Sequence, residues 1–413
     1  MRRMTLAAGL VVMTITTSCA PATTPATGAG GTSTDRPSRN PSPDASAEPP
    51  TTARDVTLSL PDPTGSRPVG ATSLHLTDTS RPDPWDPGSK ARQLMVSLWY
   101  PAMKAGGRAE PYMTVQESER TLKDAGLTGV PPDLLARTRT HATGNAPPAG
   151  GTGELPLVVL SPGFEKTRSS LTGLAEDLAS RGYVVAAISH THENLATVFP
   201  DGHVATCTAC RIEPHDQAFW DRVGAIRAAD VSFVLDQLTG PRPRWEGSRL
   251  IDPARIAMGG HSVGGASSVA ALLKDPRIKA GINLDGLAVV PVPADGLDKP
   301  FLLLGAQATR TPGTKEATSW ETAWRHLTGW RRWLVVTGAA HASFTDTSLL
   351  GEQAGLDTGA TLPAARSMEI TRAYVAAFLD QHLRGTPRPL LDRASASYPE
   401  VRICRPDQPS GCR

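Results

Sequence analysis

The sequence predicts an α/β fold in which a mostly parallel central sheet carries helices on both faces. Short runs dense in Val, Ile and Leu, each of strand length, alternate with longer stretches whose apolar residues recur at helical spacing. Gly182, Gly240 and Gly385 stand near the ends of such stretches, where a helix needs a residue free to leave the right-handed region. At 413 residues the chain is long enough for one large core of this kind.

The alternation begins only after position 54. Residues 1–20 start basic at Arg2 and Arg3, continue with an apolar stretch from Leu6 to Ile15 and end in small residues, the layout of a signal peptide. The apolar part is far shorter than the roughly 20 residues a membrane-crossing helix requires. Cys19 follows Thr-Thr-Ser and precedes a polar tract, resembling a bacterial lipoprotein signal in which that cysteine is lipidated and tethers the protein to a membrane. Thr16 stands where such signals carry an aliphatic residue, so plain secretion with cleavage nearby is the equal alternative. Residues 21–54, rich in Pro, Thr, Ser and Gly, hold almost no large apolar side chain and read as a disordered linker. Residues 55–413 then form the folded domain.

Within that domain, strands are expected at 94–100 (LMVSLWY), 155–160 (LPLVVL), 183–188 (YVVAAI), 255–258 (RIAM), 280–284 (AGINL), 301–304 (FLLL) and 333–336 (WLVV). Helices are expected at 169–180, 215–238, 263–274, 317–327 and 365–383. Residues 103–150 interrupt the alternation with Gly, Pro and mixed helical sequence, and read as a small insertion near the functional site. The 42 Lys and Arg against 40 Asp and Glu leave a formal charge of +2, and no basic run interleaved with aromatics points to nucleic acid.

The sharpest local pattern is Gly260-His261-Ser262-Val263-Gly264, entered from the apolar RIAMG and left through GASSVAALL. A strand that turns tightly into a helix brings its own backbone close on either side of the serine, which leaves room only for glycine two residues away. A serine hydroxyl needs a base to accept its proton, and ten histidines are available. His326 and His382 fall in expected helices and His261 is the variable position of the elbow. His341 lies in a small-residue loop beyond WLVVTGAA, at a late strand end, and is the candidate base. The acid that orients it is expected between serine and histidine. Asp285 ends the strand AGINL and precedes Gly286, whereas Asp275 belongs to a helix-terminating turn and Asp295 and Asp298 to a proline-rich loop. The oxyanion hole needs two amides, for which Val263 and Phe164, the latter following LSPG, are the candidates.

DPW followed by RQLMVSLWYPA (83–102), LSPGF (160–164), GGHSVGG (259–265), INLDG (282–286) and GAAHASFTD (338–346) together resemble the platelet-activating factor acetylhydrolase (isoform II) branch of the α/β-hydrolases, over roughly residues 55–400. The resemblance implies the α/β-hydrolase fold, Ser262, Asp285 and His341 as triad, and Phe164 and Val263 as oxyanion donors. It further implies hydrolysis of short-acyl esters, oxidised or short-chain phospholipids among them, without metal or other cofactor. Bacterial members of the group often act on other esters. A polyester hydrolase or peptidase on the same triad, or a catalytically silent surface-tethered binding protein, are the competing readings.

The segment Ser189–Cys210 gathers His190, His192, His203, Cys207 and Cys210, which are potential zinc donors. Their spacing matches no common zinc module, and a histidine just past a strand end more often makes a structural hydrogen bond. Cys207, Cys210, Cys404 and Cys412 allow three pairings. Proximity favours Cys207 with Cys210 and Cys404 with Cys412, while a crossed pattern remains open. Phe164, Phe199, Trp220, Trp320, Trp324 and Phe344 are candidates for an apolar acyl pocket, although Trp320 and Trp324, one helical turn apart, read as core.

Overall fold

The computed structural model describes residues 56–127, 129–407 and 411–412, so the leader, Cys19 and the 21–54 tract lie outside the described residues. Strands β1 (Val69–Asp78) and β2 (Arg92–Pro101) are followed by α1 (Val115–Asp124), β3 (Thr143–Gly144), β4 (Leu155–Ser161), α2 (Thr172–Ser180) and β5 (Val184–Ser189). A ribbon of β6 (Thr197–Val198) and β7 (Val204–Ala205) precedes α3 (Gln217–Thr239), β8 (Ile251–His261), α4 (Val263–Lys274), β9 (Ile278–Leu284) and β10 (Phe301–Ala306). The chain closes with α5 (Gln307–Arg310), α6 (Thr318–His326), β11 (Arg331–Val336), α7 (Asp346–Gln353), α8 (Ala364–Leu383) and β12 (Val401–Cys404).

These strands form a ten-stranded sheet in the order β12-β11-β10-β9-β8-β4-β5-β2-β1-β3. The stretch from β11 to β5 is parallel, and the antiparallel β12 on one side and β2 and β1 on the other flank it. Each central strand is buried on both sides, which is why LPLVVL and VVAAIS are continuous apolar runs rather than alternating ones. One face packs on α3, α4 and α6 through Val231, Leu235, Leu272 and Trp320; the other packs on α2 and α8 through Leu174, Leu178, Val375 and Phe378. Burying each such side chain contributes roughly 1.5–3 kcal/mol.

All the expected strands and helices are present, with ends moved by a few residues. Beyond these, several elements have no counterpart among the expected ones, β1, β12 and α7 among them. β1 reads VGATSLHLTD, alternates buried and exposed residues over part of its length, and owes its form to ten-residue pairing with β2. β12 has only four residues. Helix α7 begins at the end of GAAHASFTD, with Thr345 as its N-cap. The 103–150 insertion supplies α1 and β3, and its Tyr112, Met113, Leu122 and Leu134 pack with Leu58, Leu60 and the α7 residues Leu349 and Leu350 in a satellite cluster.

From β4 the chain passes to β5 on one side, whereas β8 returns on the other, so the ends of β4 and β8 lie side by side at the point where the strand order reverses. In sheets of this kind that crevice is where ligands bind.

Candidate active site

Ser262 stands between the end of β8 and the start of α4 with φ 55° and ψ −126°. A non-glycine residue there costs about 1–3 kcal/mol and persists only when its surroundings enforce it. They do so sterically. A Cβ on Gly260 would lie 2.0 Å from the Ser161 carbonyl oxygen and one on Gly264 1.9 Å from the same atom, while one on Gly265 would lie 2.5 Å from Asn283 Oδ1. The glycines of the elbow are therefore required by contact with β4 and β9.

Asp285, also at positive φ (54°), extends from the end of β9 and is fully buried. Its Oδ1 accepts the Ala306 amide at 2.9 Å and its Oδ2 accepts His341 Nδ1–H at 2.6 Å. Arg310, which sequence reasoning did not single out, donates Nη2 to the Asp285 carbonyl at 2.8 Å and places Nε 3.2 Å from Oδ1, an ion-pair contact without hydrogen-bond geometry. His341 opens a 3-10 turn beyond β11, and its side chain is 54% exposed.

His261, set aside as the variable letter of the elbow, is buried against this histidine. The two rings lie 4.5 Å apart between centroids, and His261 Nε2–H donates to the His341 carbonyl at 2.7 Å. Burial, and after it the neighbouring His341, push the His261 imidazole down to about 4, so it is neutral at ordinary pH and its Nδ1 is the bare, unpartnered nitrogen. The residue beside Ser262 is thus locked to the backbone of the candidate base. Ser262 Oγ and the His341 imidazole are not hydrogen-bonded to each other, and in hydrolases such bonds commonly tighten only with substrate.

The loop after β4 reaches the same place. A Cβ on Gly163 would lie 3.4 Å from Ser262 Cβ and 3.2 Å from His261 Nδ1. Phe164 and Val263 share one apolar cluster with Trp85, Phe219 and Trp220, and among the described residues no main-chain acceptor takes either of their amides. Val263 is the first residue of α4, so its N–H points out of the positive end of that helix. The Phe164 ring meets Trp220 and His215 edge-on, at 5.4 and 5.7 Å. Against Asp285 and His341, a cavity of about 470 Å³ is lined by Leu287, Arg310, Ala339 and Ala340. The arrangement offers a strained hydroxyl, an imidazole held by a buried carboxylate, and two unused amides.

Other candidates lie elsewhere. Trp320 and Trp324 pack on Trp333 in the core, Phe344 is buried between α8 and the sheet, and Phe199 packs with Met95 and Ala205. Of the aromatic candidates only Phe164 and Trp220 adjoin Val263. His190 is buried in a hydrogen-bonded chain, as a structural histidine would be, and His192 Nδ1 lies 3.1 Å from the Thr206 carbonyl. The sulfurs of Cys207 and Cys210, and of Cys404 and Cys412, are at bonding distance, in the sequence-local pairing rather than the crossed one. Among the described residues no group of His, Cys, Asp and Glu could hold a metal, and no helix is long and apolar enough to cross a membrane.

Comparison with known proteins shows the family to which the chain belongs. The sequence model of the family described as platelet-activating factor acetylhydrolase, isoform II, matches residues 57–206 and 248–386. A probable 1-alkyl-2-acetylglycerophosphocholine esterase of Arthroderma benhamiae is 31% identical over 375 residues, covering 83% of this chain and 92% of its own. The platelet-activating factor acetylhydrolase of Cavia porcellus is 25% identical over 286 residues, covering 60% of this chain and 62% of its own. Among solved structures, a ferulic acid esterase from Streptomyces cinnamoneus superposes with a TM-score of 0.75 at 44% identity, over 84% of this chain and 99% of its own. The chain therefore belongs to the platelet-activating factor acetylhydrolase isoform II family, has the α/β-hydrolase fold and is a carboxylic ester hydrolase.

Proposed function

We propose that the chain hydrolyses short-acyl carboxylic esters through an acyl-enzyme on Ser262. The observation that carries this reading is the strained Ser262 on its elbow beside an Asp285–His341 pair joined at 2.6 Å. In the proposed cycle His341 Nε2 takes the proton of Ser262 Oγ as the oxygen attacks the ester carbonyl. The amides of Phe164 and Val263 take the negative charge that develops on the carbonyl oxygen. The alcohol leaves with that proton, and water then attacks the acyl-enzyme with His341 again as base. Asp285 holds Nδ1–H and so leaves Nε2 free to accept.

Short-chain or oxidised phospholipid esters are in scope because the Arthroderma and Cavia relatives carry names for enzymes of acetyl-bearing lipids. A second acyl class is favoured by the edge-on contacts of Phe164 with Trp220 and His215 beside Val263, which suit a flat aromatic acyl group such as ferulate. Turnover of p-nitrophenyl acetate, butyrate and octanoate, methyl ferulate, a polyester film and an aminoacyl amide, with wild type and Ser262→Ala, tests the proposal. Activity confined to the esters and lost in the variant is expected; an active Ser262→Ala enzyme, or preference for the amide, overturns it. Export, with either free release or a membrane tether through Cys19, is proposed from the leader and the paired cysteines. The mass of the mature N-terminus decides between them.

A further inference from the structure

Behind the loop that carries Phe164 lies a chain of buried charged and polar groups that the proposed reaction does not use. Arg227 of α3 donates Nη1 to the Pro162 carbonyl at 2.6 Å and to Ser161 Oγ at 3.1 Å, and Nε to Glu193 Oε2 at 2.7 Å. Trp85 Nε1 donates to the other oxygen of Glu193 at 2.9 Å. Ser161 Oγ meets His190 Nε2 at 2.9 Å, and His190 Nδ1 meets Asp230 Oδ2 at 2.8 Å. Arg92 completes the chain on Asp230, and every one of these side chains is buried.

Burial, with Arg227 adding to it, pushes the His190 imidazole down and so favours the neutral ring. With a neutral ring one placement of protons satisfies this chain. Asp230 accepts from His190 Nδ1–H, which leaves Nε2 bare to take the Ser161 hydrogen, while Ser161 Oγ accepts from Arg227, a guanidinium that can only donate. Replacing buried ion pairs by apolar residues is often neutral or stabilising, so their presence here calls for a role beyond stability.

The role lies in the peptide planes of the loop. The Ser161 carbonyl is wedged where Cβ atoms on Gly260 and Gly264 would collide with it. The next carbonyl, Pro162, is held by Arg227, and the Gly163 carbonyl accepts the Lys166 amide at 3.2 Å. Beyond Phe164, the Glu165 amide donates to the Glu193 carbonyl at 2.8 Å. One residue pair, Arg227 and Glu193, thus grips the loop on both sides of Phe164, whose own N–H is left without a main-chain acceptor among the described residues.

We infer that Arg227, oriented by Glu193, is a positioning residue that fixes the peptide planes flanking Phe164 so that its N–H faces the carbonyl oxygen of a bound ester. The inference rests on the reading of Ser262 as nucleophile and Phe164 as oxyanion donor. Arg227→Met removes the grip. Arg227→Lys keeps a charge for Glu193 but has a single nitrogen, unable to serve Glu193, Ser161 and Pro162 together.

With p-nitrophenyl butyrate, kcat is expected to fall about 100-fold in the methionine variant and about 10-fold in the lysine variant, with KM within about threefold, against the 10²–10³-fold typical of losing an oxyanion donor outright. Affinity for a trifluoromethyl ketone, whose adduct with serine places an oxyanion in the same hole, should fall in step with kcat/KM. Where Arg227→Met does not fold, the lysine variant carries the test. A folded Arg227→Lys with kcat within about twofold of wild type, or a loss confined to KM with ketone affinity unchanged, overturns the inference. Mass-spectrometric mapping of a fluorophosphonate label on the wild type separates the two levels. A label on another serine overturns the site reading and this inference with it, whereas a label on Ser262 with unimpaired variants overturns the role of Arg227 alone.

Discussion

Among the described residues two Ser, His and Asp groupings flank one loop; each joins histidine Nδ1 to a buried carboxylate, and they differ in the surroundings of the serine and the histidine. In the inner one, Ser161, His190 and Asp230 are at most 1% exposed; in the outer one, the His341 side chain is 54% exposed beside a half-buried Ser262. Ser161 sits in regular strand and spends both its acceptor and its hydrogen, on Arg227 and His190. Ser262 sits at positive φ and its hydroxyl is uncommitted to the histidine. Burial tends to raise the Asp230 carboxyl, but Arg92 and His190 outweigh it and hold the group well below the usual carboxylate range. On the proposed reading the residue trio is not what makes a nucleophile. An exposed approach, a strained backbone and nearby amides without main-chain acceptors among the described residues set Ser262 apart from Ser161.

The contrast is broken most sharply at the serines. Ser262→Ala should lower ester turnover by at least about 10⁴-fold, and Ser161→Ala by no more than about 10-fold, as read from initial rates on p-nitrophenyl butyrate. Comparable losses at both would erase the distinction. The aspartates should divide the other way. Asp285→Asn should cost about 10³–10⁴-fold in kcat, whereas Asp230→Asn, which leaves the buried Arg92 with Asp83 as its remaining carboxylate, should lower unfolding free energy by up to about 3–5 kcal/mol in urea.

A third carboxylate sharpens the electrostatic half of the comparison. Asp346, five residues past His341, is buried and accepts the Gly173 amide through both oxygens, at 3.2 and 3.0 Å, with no ion pair among the described residues. Burial pushes its carboxyl up from 3.8 to about 7. Because the folded state holds this proton more tightly than the unfolded chain, its contribution is complete below about pH 4 and is lost as pH rises through 7, on the order of 4 kcal/mol in all. Asp346→Asn should flatten that part of the stability profile, measured by urea unfolding at a series of pH values. The smallest effect is expected at the aromatic wall, where Trp220→Ala should change the ratio of methyl ferulate to p-nitrophenyl acetate turnover only a few-fold.

Much of the outer site was legible because its constraints are local. Glycines two residues either side of Ser262, an apolar strand before it and a helix after it spell out an elbow within a dozen letters, and Asp285 and His341 each follow a strand run. The inner chain was not legible for the opposite reason. Ser161, His190, Glu193, Arg227 and Asp230 come from three separated segments, and each alone reads as an ordinary polar residue at a strand end or on a helix. The position of His190 just past a strand end favours a structural hydrogen bond, but nothing in the letters names its partners. His261 and Arg310 are not legible because a variable motif letter and an arginine outside every expected element carry no pattern. β1 was missed because half-exposed, interrupted alternation is a weak signal until a neighbouring strand pairs with it.

The letters alone determined the layered α/β architecture and the glycine-flanked elbow at Ser262, since both depend on periodicity or on steric demands between near neighbours, and they put forward Asp285 and His341 as candidates at strand ends. Tertiary structure alone decided which histidine packs on His341, which arginine holds the loop and which of two serine groupings faces solvent. Those choices are made by burial and by hydrogen bonds between residues far apart in sequence, and such contacts exist only once the sheet has brought the strand ends together.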